Sequence, residues 1–141
     1  MADVPVPLSM EKLIGSGKPL VLVVNIVYAV ALAGVSVMSE PPRVPVLTEN
    51  DWLAHGLAYM LQTLLLYCLF RPMTAPSRAI LAAAGTAALF GTVMEVGQVV
   101  MPGRFFELQD VLANGVGVGA GVVLLLGFRR SQQTRPEEAS R

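Results

Sequence analysis

The chain has 141 residues, 54% of them hydrophobic and 14% charged, and its ten basic and ten acidic side chains cancel. A soluble domain typically carries about 25% charged residues. With no net charge and no basic stripe, nucleic acid is excluded as an expected partner. The single cysteine, Cys68, excludes an intramolecular disulfide and reads as a packing residue.

Residues 1–18 form a head carrying Lys12 and Lys18, followed by an apolar run over 20–38. This order is similar to a secretory signal. A cleavable signal has an apolar core of about 7–15 residues and a small-x-small cleavage site. The run here is 19 residues long and ends VSVMSE, so the expectation is an uncleaved first transmembrane helix. EPPRVPVLTEN (40–50) has three prolines and ends that segment. The second segment, 52–70, contains no aspartate, glutamate, lysine or arginine, only a histidine. RPMTAPSR (71–78) breaks the chain again, and the third segment, 79–100, contains only Glu95 among charged residues. MPGRFFELQ (101–109) has a Pro-Gly turn signal, with FFEL as a short interfacial element. The fourth segment, 111–128, has no charge, and the polar tail 129–141 reads as disordered.

About 20 apolar residues cross a bilayer as a helix. The reading is therefore an all-α membrane protein: a cytoplasmic head (1–18), a four-transmembrane-helix bundle (19–128) and a cytoplasmic tail (129–141). Cytoplasmic loops carry the excess of lysine and arginine. The head, the 71–78 loop and the tail hold eight of the ten basic residues, against Arg43 and Arg104 on the other side. Both termini are thus expected in the cytoplasm, with 39–51 and 101–109 facing outward.

The polar residues then gather in one leaflet. Asp51 and His55 open the second segment, Glu95 and Gln98 close the third, and Asp110 and Asn114 open the fourth. Arg104 lies in the connecting loop. Positions three and four apart share a helix face. Asp51, His55, Tyr59 and Gln62 form one stripe; Asp110, Asn114, Gly117 and Gly121 form a second; Gly91, Glu95 and Gln98 form a third. Such stripes face other helices rather than acyl chains. Gly115 and Gly119 make an offset G-x-x-x-G beside that of Gly117 and Gly121, and neither is a phosphate loop, since no G-K-[ST] follows.

The patterns D-x-x-x-H-x-x-x-Y (Asp51, His55, Tyr59), E-x-x-Q-x-x-x-P-G-R (Glu95, Gln98, Pro102, Gly103, Arg104) and D-x-x-x-N-x-x-G-x-x-x-G (Asp110, Asn114, Gly117, Gly121) resemble VanZ-like membrane proteins over residues 51–121. Many relatives have a lysine after the first aspartate; Trp52 stands there in this chain and removes one cation. The family's founding member is associated with resistance to teicoplanin, a glycopeptide that acts on cell-wall precursors. The resemblance implies a bacterial cell-envelope protein.

Each polar residue has a structural reading beside a functional one. Asp51 orients His55 or caps its helix. Glu95 is a functional carboxylate or the ion-pair partner of Arg104, and Arg104 can also clamp a phosphate or carboxylate. Asp110 and Asn114 bind ligand or cap the fourth helix. Candidate ligand-binding residues are Asp51, His55, Glu95, Gln98, Arg104, Asp110 and Asn114; candidate catalytic residues are His55, Glu95 and Asp51. A metal held by His55, Asp51, Glu95 and Asp110 is weighed and set aside, because there is one histidine and no strict ligand motif. No cofactor is expected. Ser36 and Ser39 lie near the same face without a nucleophile motif.

Three function classes follow: a module that binds a membrane lipid, a lipid-linked envelope precursor or a glycopeptide; an enzyme using acid–base chemistry on such a substrate; and a small transporter. One-sided clustering disfavours the last, which needs a midplane site. A homo-oligomer is compatible with all three. The orientation is directly testable. Leu47→Cys should react with an impermeant thiol reagent on intact cells, and silence there contradicts the assigned sidedness.

Overall fold

The structure is a computed structural model that describes residues 8–38, 50–101 and 105–138, with side chains over 17–38, 50–101 and 105–131. The described residues form four α-helices: α1 (Leu8–Val37), α2 (Asp51–Phe70), α3 (Pro76–Gln98) and α4 (Leu108–Glu138). Each contains a stretch long and apolar enough to cross a membrane: Gly17–Val37, Asp51–Phe70, Pro76–Gln98 and Leu108–Ser131. A helix satisfies its backbone within the segment, which lipid cannot do for it.

Two boundaries differ from the sequence reading. Helix α1 begins at Leu8 and runs through Pro19, so the described part of the head is a helical extension of the first span. Helix α4 continues to Glu138, through most of the tail read as disordered. Apolar patterning marks where a helix enters lipid, and says less about where the helix itself stops.

The bundle is inside out relative to a soluble core. Leu81, Leu89, Val100, Val116 and Val123 are among the exposed apolar side chains, while Glu95, Gln98, Asn114, Gln62 and Thr63 are buried. Helices in lipid gain little from hiding apolar surface and gain more from close packing and internal hydrogen bonds. The inward face of α3 reads Ala79, Ala83, Ala87, Gly91 and Glu95, one buried residue every four positions. Four residues per step, against 3.6 per turn, keeps these side chains on one slowly drifting seam. That seam of small residues ends in a carboxylate.

Helix α2 packs most extensively on α4, next on α3, and α1 lies against α2 and α3 at the side. The α2–α4 contact is made backbone to backbone. A Cβ placed on Gly117 would overlap the Gly56 carbonyl oxygen and lie 2.8 Å from its carbon. One turn on, a Cβ on Gly121 would lie 3.0 Å from Thr63 Cβ. Gly115 and Gly119 meet nothing within 4 Å, so only one of the two G-x-x-x-G registers is a packing surface. Cys68 is exposed on the outer surface and not packed inside the bundle.

Polar side chains tie α1 on. Asn25, buried near the middle of α1, donates from Nδ2 to the Leu65 carbonyl at 3.1 Å and to Val21 in its own helix at 2.9 Å. Tyr28 donates its hydroxyl to the Ala58 carbonyl at 3.0 Å. Gln98 donates from Nε2 to the Ser36 carbonyl at 3.0 Å.

Gly117→Ala should destabilise the protein by about 1–3 kcal/mol, because rigid backbone opposes the new methyl group. Gly119→Ala should leave stability unchanged or slightly raised. Thermal unfolding in detergent micelles separates the two, and equal melting temperatures would mean that the α2–α4 contact is misplaced.

Candidate functional site

Helices α1 and α3 end, and α2 and α4 begin, at the same end of the bundle. The candidate polar residues sit on those terminal turns. Helix α2 contributes His55, one turn before the buried Tyr59. Helix α3 contributes Glu95 as the last residue of its small seam. Helix α4 contributes Asp110 in its first turn and Asn114 one turn later.

The three helices bring these four side chains into contact. His55 Nδ1 is 2.9 Å from Asn114 Oδ1, a hydrogen-bond distance. The same nitrogen is 3.9 Å from Glu95 Oε1, and Nε2 on the other side of the ring is 3.6 Å from Asp110 Oδ2. The last two are close electrostatic contacts, too long for hydrogen bonds. An asparagine oxygen only accepts, so the 2.9 Å contact places a proton on Nδ1.

Burial is uneven across the group. The Glu95 side chain is 1% exposed and that of Asp110 11%, whereas His55 is 21% exposed. The imidazole is therefore the face through which the site meets its surroundings. Asp110 near the α4 N-terminus is favoured by the helix dipole, by about 0.3–1 kcal/mol. Glu95 lies one turn from the C-terminus of α3, where that dipole opposes a negative charge. A carboxylate inside a membrane helix costs up to about 2.5–3.5 kcal/mol on insertion scales. Glu95 thus sits in an unfavourable place on two counts, and the packing of three helices holds it there.

Other candidates fall differently. Asp51 is exposed in the first turn of α2, outside the cluster. The N-cap position belongs to Asn50, whose carbonyl accepts from Leu53 and Ala54; Asp51 is the first helical residue, so it does not cap the helix. Gln98 is buried but points to α1 through Ser36, which makes it a tie between helices. Arg104, with Pro102 and Gly103, lies outside the described residues. Phe105 and Phe106 are exposed and non-helical, and α4 begins at Leu108, so FFEL is the approach to a helix and not an element of its own.

Sequence reasoning put Tyr59, Gly91 and Asn114 on inward stripes but did not pair them. A Cβ on Gly91 would lie 2.9 Å from Tyr59 Cε1 and 3.2 Å from Asn114 Nδ2, so Gly91 makes the room in which both side chains sit. Sequence reasoning missed Thr63, which is fully buried and bonded back to the Tyr59 carbonyl at 2.8 Å. The available signal was the run of alanines at four-residue spacing that leads to Gly91, which marks the α3 face Tyr59 opposes.

Four membrane-crossing helices that bury Glu95, Asp110 and Asn114 between them define a multi-pass membrane protein with a buried polar site at one end of the bundle. The VanZ/LLP1 family model matches residues 20–129, a range that takes in every candidate site residue, and the chain belongs to that family. No curated protein and no solved structure matches the chain.

His55→Ala and Asn114→Ala should be non-additive in stability. Polar contacts between membrane helices average about 0.6 kcal/mol and reach about 1.7, so a double-mutant cycle should give a coupling in that range. A coupling of zero would mean that the 2.9 Å contact does not hold in the membrane.

Proposed function

We propose that the site recognises the polar headgroup of an envelope lipid or lipid-linked cell-wall precursor at the extracytoplasmic face of a bacterial inner membrane. The observation that carries this reading is the convergence of Glu95, Asp110, Asn114 and His55 from three helices at one end of the bundle. A bundle can be held by far cheaper groups, as the alanine seam of α3 demonstrates. Two carboxylates suit the hydroxyls or amine of a headgroup, which donate hydrogen bonds. Arg104, between Glu95 and Asp110 in sequence, suits the phosphate. The excess of basic residues in the head, the 71–78 loop and the tail supports placing the opposite end outside. Family membership adds a resistance-like association, because glycopeptides act on the same class of precursor.

A second reading has its own observation. His55 lies between two carboxylates at 3.9 and 3.6 Å, an arrangement suited to moving a proton. On that reading the protein is an enzyme acting on the same headgroup. The two differ in outcome, since an enzyme converts a purified lipid-linked precursor and a binding module only retains it.

Native mass spectrometry of the purified protein should detect a co-purifying envelope lipid. Glu95→Gln and His55→Ala should lose that lipid, and any glycopeptide phenotype, while still inserting into the membrane. If both variants retain the same lipid and the wild-type phenotype, the cluster is structural and the proposal fails.

A further inference from the structure

We infer that His55, Glu95 and Asp110 form a binding site for a divalent transition-metal cation, with Asn114 as the group that orients the histidine. One ligand atom from each of the three residues lies within 4.8 Å of the others. Ligand atoms around one such ion stand about 3.0–4.2 Å apart, given bonds of about 2.1 Å. A modest inward turn of the side chains therefore closes the shell.

The imidazole supplies the independent argument. Its Nδ1 proton is directed at Asn114 Oδ1 at 2.9 Å. The other nitrogen, Nε2, faces Asp110 Oδ2 at 3.6 Å, and in the deprotonated form that a metal requires it presents a lone pair there. Two acceptor atoms facing each other at that distance make no hydrogen bond, but they match two ligands on one cation. A metal-bound histidine characteristically donates its remaining N–H to a neighbouring oxygen, which fixes the ring and its tautomer. Asn114 occupies that place. It is 3% exposed, and its Nδ2 has no hydrogen-bond partner among the described residues. Its one side-chain bond here is to the imidazole.

One nitrogen and two carboxylate oxygens suit manganese or zinc better than an all-oxygen ion such as calcium. The three ligands come from three helices, so no short motif announces the site. Three protein ligands also leave positions open, where a headgroup phosphate can bind. That last consequence rests on the headgroup reading, whereas cation binding does not.

The test uses the full-length protein in detergent, stripped with a chelator and titrated with Mn2+ alone. Electron paramagnetic resonance follows loss of the free-ion signal and, by spin-echo modulation, any nitrogen bound to the ion. The expected result is one Mn2+ per chain, with nitrogen modulation, displaced by Zn2+. His55→Ala should remove the modulation and weaken binding more than 100-fold. Asp110→Asn and Glu95→Gln should weaken it at least tenfold, and Asn114→Ala about 10–100-fold as an orienting partner. Glu107→Gln removes an exposed carboxylate at the same end and should change nothing. Because a buried-site variant can fail to fold, the wild-type protein carries a second readout: Mn2+ should raise its melting temperature. No stoichiometric binding, binding without nitrogen modulation, or no Mn2+-dependent rise in wild-type melting temperature overturns the inference. A lipid-free protein that still binds Mn2+ keeps it separate from the headgroup proposal.

Discussion

Everything in this structure follows from keeping Glu95 away from lipid. A carboxylate at membrane depth needs polar company, and among the described residues the neighbouring helices supply it. Helix α3 meets this need with a seam of Ala79, Ala83, Ala87 and Gly91, each too small to hold α2 and α4 at a distance. The seam lets those helices come close enough to place His55, Asp110 and Asn114 around the acid. Gly117 and Gly121 do the same for the α2–α4 pair. Small residues and buried charge are two halves of one arrangement, since close approach is what makes burial tolerable.

The arrangement has a direction. At the site end, polar atoms meet each other across three helices; away from it, the interior is closed by Leu66, Val118 and Leu125. Helix α1 takes no part in the cluster. It is attached by single polar contacts from Asn25, Tyr28 and Gln98, and most of its apolar surface remains exposed.

Much of this was legible in the chain itself. The stripes of His55 and Tyr59, of Gly91 and Glu95, and of Asp110, Asn114, Gly117 and Gly121 all face the interior as their spacing demands. Alanine was ambiguous, because it is equally at home in lipid and at a helix contact, so the α3 seam went unread. Asp51 continued the His55 stripe by spacing, but a stripe that reaches the helix end runs out of neighbours, and the residue lies exposed. The two glycine registers looked alike in sequence; only Gly117 and Gly121 have a backbone opposite them.

By itself the sequence determined that four helices cross a membrane, and that their polar residues concentrate at one end. Both follow from the length of apolar runs and the 3.6-residue repeat, which are local properties of the chain. Only the tertiary structure decided which polar groups touch. His55 bonding to Asn114, lying against both Glu95 and Asp110, depends on the separation and rotation of three helices, which packing sets and periodicity does not. The chemistry of the site belongs to that second level, because a carboxylate, an imidazole and an amide become one site only at contact distance.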